Sequence, residues 1–368
     1  MSADRPQPVK PDYAGAWIGG VIPALQAAVT PAWMPEIASY ANRVVVLVVD
    51  GLGWEIRQNQ AKHLPTIAAM QGGAITCAVP STTATGLPCI TTGLTPSEHG
   101  LLGYRVGLEQ GVLNVLRWRL DGGRKGPVAT DLQPVPAFAG RPVPIVVKAE
   151  FAGTGFTDAH LGGAPFHGWQ TPAVLRAQVG AALATDARVI YVYYDGVDKV
   201  AHAHGLSGPA LEMELADTDR LVAELLAIIP TDGALVITAD HGHVAVGPGG
   251  IVSTEPVSQL VRRTAGESRF RSLYATPNKQ KELLTACTDS FGDQAWIFSR
   301  EELFDDGWLG PGGPAHHRRR IGDVVLAPFA DIGFADPATP REDDMLSRHG
   351  SLTPAEMMVP LLAAFGSA

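Results

Sequence analysis

A chain of 368 residues, 46% apolar and 18% charged, has the balance of a folded globular protein and enough material for one large domain or two smaller ones. Its formal net charge of −9 excludes a general attraction to nucleic acid polymers or anionic membranes, so an anionic substrate would need positive charge supplied locally, for instance by a metal. Three cysteines without CxxC spacing, Cys77, Cys89 and Cys287, exclude a disulfide framework and a thiolate zinc site.

The N-terminal "MSADRPQPVKPDYAGAW" is polar and proline-rich, without the apolar stretch of a secretory signal, and no run approaches transmembrane length. The expected location is the cytoplasm, with no membrane partner. The first apolar run, "RVVVLVVDGLG" (43–53), is continuous rather than alternating and ends in Asp50. That pattern predicts a strand buried on both faces, as in a parallel sheet. Next comes "CAVPSTTATGLPCITTGLTPSEHGLLGY" (77–104), nearly uncharged and crowded with threonines. Its composition fits a turn-rich loop, or a segment in which one hydroxyl is a nucleophile. Residues 105–186 are irregular and are expected to form an insertion.

"ARVIYVYYDGVD" (187–198) and "GALVITADHGH" (233–243) repeat the design of the first run, each an apolar strand closing on Asp and Gly. Between them "GPALEMELADTDRLVAELLAII" (208–229) has apolar residues at helical spacing after a Ser-Gly-Pro start signal. Residues 244–345 are again irregular, and "GPGGPAHHRRR" (310–320) is expected to be an exposed loop. The two irregular segments are read as a cap or subdomain on a single catalytic domain spanning 1–368. Finally "TPAEMMVPLLAAF" (353–365), with Thr, Pro and Glu in capping-box positions, predicts a helix kinked at Pro360. Strands alternating with helices give an α/β fold, in which ligands bind at the carboxyl ends of the strands.

The chemistry-bearing residues gather at those ends. Asp50 follows the first run, "DKVAHAHG" supplies Asp198, His202 and His204, "ADHGH" supplies Asp240, His241 and His243, and "SRHGS" supplies His349. One strand-end Asp ordinarily caps a helix, and one His-Gly ordinarily marks a turn. Three strand-end acids, an Asp-x3-His that shares a helical face, and a late His-Gly together fit a carboxylate–imidazole site for zinc, or for manganese. His204 and His243 are taken as neighbours rather than ligands.

In their order and spacing, "VVDGLG", "PSTTATGLPCITTGLTPSEHG", "DKVAHAHGL", "TADHGH" and "RHGS" resemble the motifs of the alkaline phosphatase superfamily, most closely its nucleotide pyrophosphatase/phosphodiesterase branch. That branch carries "S-D-H-G-M" where this chain has "TADHGH". The resemblance spans about residues 40–105, 185–245 and 345–365. It implies an alkaline-phosphatase-like core, a mostly parallel sheet sandwiched by helices. It places the nucleophile ten residues before the Gly of "TG" and sixteen before the His of "HG", which both point to Thr83, with Thr82 and Thr85 as neighbours. It implies that Asp50, Thr83, Asp240 and His241 hold one divalent cation and Asp198, His202 and His349 the other, while His99 is structural. The implied reaction is hydrolysis of a phosphate ester through a phosphothreonine, with a small-molecule or nucleotide-like substrate.

Several positions depart from the branch. Where an Asn three residues after the nucleophile is implied to contact phosphate, this chain has Gly86, and the usual flanking aromatic is Ala84. Asn114 is a candidate replacement amide, with an ordinary loop role as its alternative. Arg105 and Lys199 are candidate cations for a monoester dianion, with surface or salt-bridge roles as theirs. The apolar tone of 84–104 favours a phosphodiesterase. The alternatives are a phosphomonoesterase or phosphonate hydrolase with the same machinery, and a binding module without turnover, which the intact ligand set disfavours. No sulfatase-type Cys/Ser-x-Pro-x-Arg is present. Exposed apolar insertions leave a homodimer open.

Overall fold

The computed structural model of the protein describes residues 5–27, 29–336, 338 and 344–368. Its centre is a seven-stranded sheet in the order Gln71–Thr76, Met358–Phe365, Gly233–Thr238, Arg43–Val49, Val189–Tyr194, Ile145–Lys148, Phe166–Trp169. Arg43–Val49 pairs in parallel with Val189–Tyr194 on one side and Gly233–Thr238 on the other. The three runs with terminal acids are therefore three adjacent strands pointing the same way. Only Arg43 among their residues is less than buried, and each fully covered Val, Leu or Ile contributes about 1.5–3 kcal/mol.

Pro209–Leu226 forms the long helix that 208–229 predicts, with Pro209 in its first turn and Leu211, Leu215, Leu221, Val222 and Leu225 buried. The predicted C-terminal helix is corrected. Only Pro354–Met357 is helical, and Met358–Phe365 is a strand running antiparallel to both its neighbours. Its run is covered on both faces, the case in which apolar periodicity does not separate helix from strand. Pro360 is tolerated because pairing with Gly233–Thr238 begins one residue later, at Leu361 opposite Thr238.

Residues 105–186 do not stay together. Arg105–Leu108, Gly111–Asn114 and Arg119–Leu120 make a small antiparallel sheet, while Ile145–Lys148 and Phe166–Trp169 extend the central one. Within 244–345 lies a four-stranded antiparallel sheet, ordered Val261–Glu267, Phe270–Ala275, Val324–Pro328, Ala295–Ser299. Helix Gln280–Phe291 covers it through Leu283, Cys287 and Phe291, forming a second apolar core. The expected loop at 310–320 is exposed at 311–316 and at Arg319. Ala315–Arg320 turns as a 3-10 helix whose His317 and Arg320 are buried and donate to the carbonyls of Ser97, Gly100 and Leu132.

Candidate active site

The carboxyl ends of the three central strands bring the predicted acids together. Asp50 and Asp240 end adjacent strands and are buried. Gly51, in the left-handed region at φ 74°, turns the chain away from Asp50 and directs its amide toward Asp240 Oδ1 at 3.4 Å. The neighbouring strand continues into helix Gly196–His204, and the Asp198 amide donates to the Asp50 carbonyl. One turn on, His202 Nε2 lies 3.2 Å from Asp198 Oδ1, the shared face the Asp-x3-His spacing predicts. His349 arrives from the opposite side, where Gly350 bridges to Ser81, and its ring stacks on His241 with centroids 3.6 Å apart.

Helix Thr83–Thr92 opens at this point, with Thr82 at its N-cap position. Thr83 Oγ1 is 3.1 Å from His241 Nε2. The Thr85 and Gly86 amides donate to the Thr82 carbonyl, and the helix terminus that carries Thr83 is of the kind at which anions bind. Thr85 is engaged elsewhere, donating to the Leu101 carbonyl at 2.9 Å. His99 is buried beside Cys89, and accepts from the Leu101 amide through Nδ1, which places it in the packing rather than at the site.

Donor atoms of Asp50, Asp240 and His241 lie within 4.8 Å of one another, as do those of Asp198, His202 and His349. A third such group is Asp198, His241 and His243. Three histidines are fixed in one tautomer. His202 Nδ1 faces the Ser347 carbonyl at 2.7 Å, His349 Nδ1 the Ser81 carbonyl at 2.9 Å and His241 Nδ1 the Gly242 carbonyl at 3.1 Å. A carbonyl only accepts, so each Nδ1 carries the hydrogen and each Nε2 is left for the cluster.

The electrostatics ask for a cation. Burial, then Asp240 and Asp198, push the Asp50 carboxyl well above its usual range. Burial likewise raises Asp240. Burial opposes charge on His241, but Asp240 and Asp50 outweigh it and push that ring up to about 10. Asp50 Oδ1, Asp198 Oδ1 and Asp240 Oδ2 are buried and accept no aligned hydrogen bond, although Asp50 Oδ1 is 3.3 Å from His241 Nε2. Buried carboxylate oxygens without donors cost several kcal/mol each, on the order that only a bound cation or proton offsets. Hard oxygens and imidazole nitrogens without sulfur fit divalent zinc or manganese.

Two cavities meet at Thr83. One, of about 240 Å³, is lined by Thr82, Asp198, His202, Glu267, Arg348 and His349 among others. The other, of about 150 Å³, is mainly apolar, with Leu87, Leu116, Phe151, Phe156, Tyr191 and Tyr193 in its wall.

Asn114 is not in either wall. Its side-chain oxygen accepts from the Arg117 amide at 2.9 Å and closes a local turn, the ordinary loop role given as its alternative. Arg105 is buried against Asp336 and Asp121, and Lys199 pairs with Asp195 at 2.8 Å. The sequence reading missed Glu267 and Arg348. Glu267 ends a strand of the smaller sheet, and burial pushes it up to about 7. No motif marks it, whereas Arg348 adjoins the His-Gly and could have been found from that proximity.

The sequence matches the type I phosphodiesterase / nucleotide pyrophosphatase family over residues 44–352. No curated protein matches it. Among solved structures the chain is similar to murine ectonucleotide pyrophosphatase / phosphodiesterase 5, an inactive form in complex with AMP, at 14% identity and a TM-score of 0.67 over 88% of this chain and 87% of that one. It is also similar to phosphonoacetate hydrolase from Sinorhizobium meliloti 1021 in complex with phosphonoacetate, at 17% identity and a TM-score of 0.65 over 88% and 90%. At those identities the likeness shows a shared fold, and the family match supplies the rest. The chain is a phosphoric-ester hydrolase that belongs to the type I phosphodiesterase / nucleotide pyrophosphatase family, within the alkaline phosphatase superfamily.

Proposed function

We propose that the enzyme cleaves diesters of phosphate with small organic groups, using Thr83 as nucleophile and two divalent cations, zinc in preference to manganese. Asp50, Asp240, His241 and Thr83 would hold one cation, and Asp198, His202 and His349 the other. Bound cations would supply the positive charge that neutralises phosphoryl oxygens and lowers the pKa of the threonine hydroxyl. The chain's own contribution is placement. Thr83 Oγ1 and His241 Nε2 lie 3.1 Å apart and so converge on one point, and the helix that starts at Thr83 would present its terminal backbone amides to phosphoryl oxygens. The Thr83 oxygen forms a bond to phosphorus as the bond to the leaving oxygen breaks, and water then cleaves the threonine phosphate. Residues 1–368 serve as one catalytic domain, with parts of 105–186 and 244–345 forming the walls.

One observation carries the diester reading: Thr83 lies on the boundary between the cation-competent cleft and an apolar, aromatic-rich cavity able to take an organic substituent. A second reading, hydrolysis of a phosphomonoester or a phosphonate, has its own observation. Arg348 lines the cleft, held by Ser268 Oγ at 3.3 Å and the Met345 carbonyl at 3.4 Å, where a guanidinium suits a dianion or a carboxylate. Hydrolysis of bis-p-nitrophenyl phosphate and of p-nitrophenyl phosphate by zinc-loaded enzyme separates the two. The diester is expected to turn over faster, and Thr83→Ala to lose at least about 10³-fold in kcat. Faster monoester cleavage would favour the second reading, and undiminished activity of the variant would remove Thr83 as nucleophile.

A further inference from the structure

His243 stands two residues beyond the Asp240-His241 pair. Its side chain is fully buried, and its ring lies 5.0 Å from that of His202, 5.4 Å from His241 and 5.3 Å from His349, centroid to centroid. A histidine that merely fills the core satisfies both ring nitrogens. Here one end is satisfied: Nδ1 lies 3.1 Å from the hydroxyl of Ser347, the residue whose carbonyl fixes His202. The other end is not. Nε2 is buried without an aligned hydrogen bond, 3.2 Å from Asp198 Oδ1, which is itself without one. The nitrogen and the carboxylate oxygen thus converge with no aligned hydrogen bond between them, an approach that a shared cation would satisfy. The backbone makes room for this nitrogen, since a Cβ on Gly51 would sit 2.5 Å from it.

We propose that His243 is a ligand of the metal centre through Nε2, sharing a cation with Asp198 on the side that faces His241. The proposal rests on the two-cation reading above. It raises the number of imidazoles at the centre from three to four, which shifts the donor set away from manganese and toward zinc or cobalt. The Ser347 hydroxyl then accepts from Nδ1–H and sets the tautomer, as the carbonyls do for the other three rings.

Two experiments test this without reading turnover. In the first, the chelator-stripped enzyme is titrated with Co²⁺ against a competing chelator while the visible ligand-field bands are followed. Wild type is expected to bind two equivalents. His243→Met, which restores the residue of the resembled motif, is expected to weaken one of them by at least about tenfold and to shift its bands; Ser347→Ala is expected to fall between the two. A His243→Met protein with native circular dichroism, two equivalents at unchanged affinity and unchanged bands overturns the proposal and leaves the two-cation reading standing. Wild type that binds fewer than two equivalents overturns that reading itself. The second experiment needs no variant. Wild type carrying ¹⁵N-histidine and loaded with ¹¹³Cd²⁺ is expected to show nitrogen–cadmium coupling at Nε2 of His202, His241, His243 and His349; coupling confined to the other three overturns the assignment of His243.

Discussion

Arg269 is a fully buried arginine whose guanidinium is used on every side. It forms a two-point pair with Glu356, Nε to Oε1 at 2.7 Å and Nη2 to Oε2 at 2.9 Å, and its remaining hydrogens reach the carbonyls of Pro328, Ala330 and Ile332. Glu356 also accepts from the Ser351 amide and the Thr353 hydroxyl, so the pair clamps the segment just after His349 onto the smaller sheet. Removing one partner strands a charge where water does not reach. Arg269→Ala is therefore expected to cost about 3–5 kcal/mol, and Arg269→Met combined with Glu356→Gln distinctly less. Urea unfolding of both proteins checks this, and equal losses would show that packing rather than the unpaired carboxylate sets the cost. At this scale the sequence was most informative where chemistry and strand ends coincide. Asp50 and His349 are 299 positions apart in the sequence, yet Asp50, Asp198, His202, Asp240, His241 and His349 each lie on, or within three residues of, a strand or helix that fixes their position. Glu267 and the orientation of His243 were not legible, because both depend on which surface folds against them. Asn114 was chosen by residue type alone, and its own turn had already claimed its amide oxygen.

The helix Thr83–Thr92 shows how an element can contradict its own propensities. It contains Gly86 and Pro88 and four threonines, a poor helix by composition, and is almost wholly buried. Close approach explains the glycine: a Cβ at 86 would lie 2.9 Å from both the Cβ and the carbonyl oxygen of Asp240. That position faces the strand end and not the substrate, so an Asn there would collide with a predicted ligand rather than reach a phosphate. Gly86→Ala should gain about 1 kcal/mol from helix propensity. A contact that short against backbone is expected to outweigh it, displacing either Thr83 or Asp240 and lowering both stability and metal affinity. A thermal melt beside a zinc-chelator competition checks the prediction; a variant that melts higher and holds zinc normally would show that the helix slides without consequence. The same close packing explains which elements were readable. Three buried strands declared themselves as continuous apolar runs, whereas Met358–Phe365, with the same apolar signature, reads as helix because Thr353, Pro354 and Glu356 precede it, although Thr353 makes no side-chain cap in the structure. Local start signals ended there after one turn because the sheet on both sides offered the chain a full ladder of partners.

Across the whole molecule, buried neutral histidines couple stability to pH. Burial first, then His317 and Arg320, hold His99 down to about 3; burial holds His160 and His317 down to about 4. All three lie outside the metal cluster. His317, with Arg320, docks the 315–320 segment onto the carbonyls of Ser97 and Gly100, and His160 donates from Nδ1 to the Phe156 carbonyl at 2.6 Å within its helix. In the unfolded chain each would titrate near the ordinary value of about 6.5. Between that value and the folded one the unfolded state binds more protons, so the stability these rings contribute is whole above about pH 6.5 and is lost as the pH falls toward 4. Each ring contributes a slope of about 1.4 kcal/mol per pH unit within the window. Metal loss in acid would add to the fall, so the comparison is made between proteins rather than between pH values alone. Unfolding free energies of wild type and His160→Gln are measured at pH 7.5 and 5.0 in excess chelator. The wild type is expected to lose about 2 kcal/mol more than the variant across that interval, because glutamine takes up no proton on unfolding. Parallel losses would mean that His160 titrates alike in both states and that its burial leaves its basicity untouched.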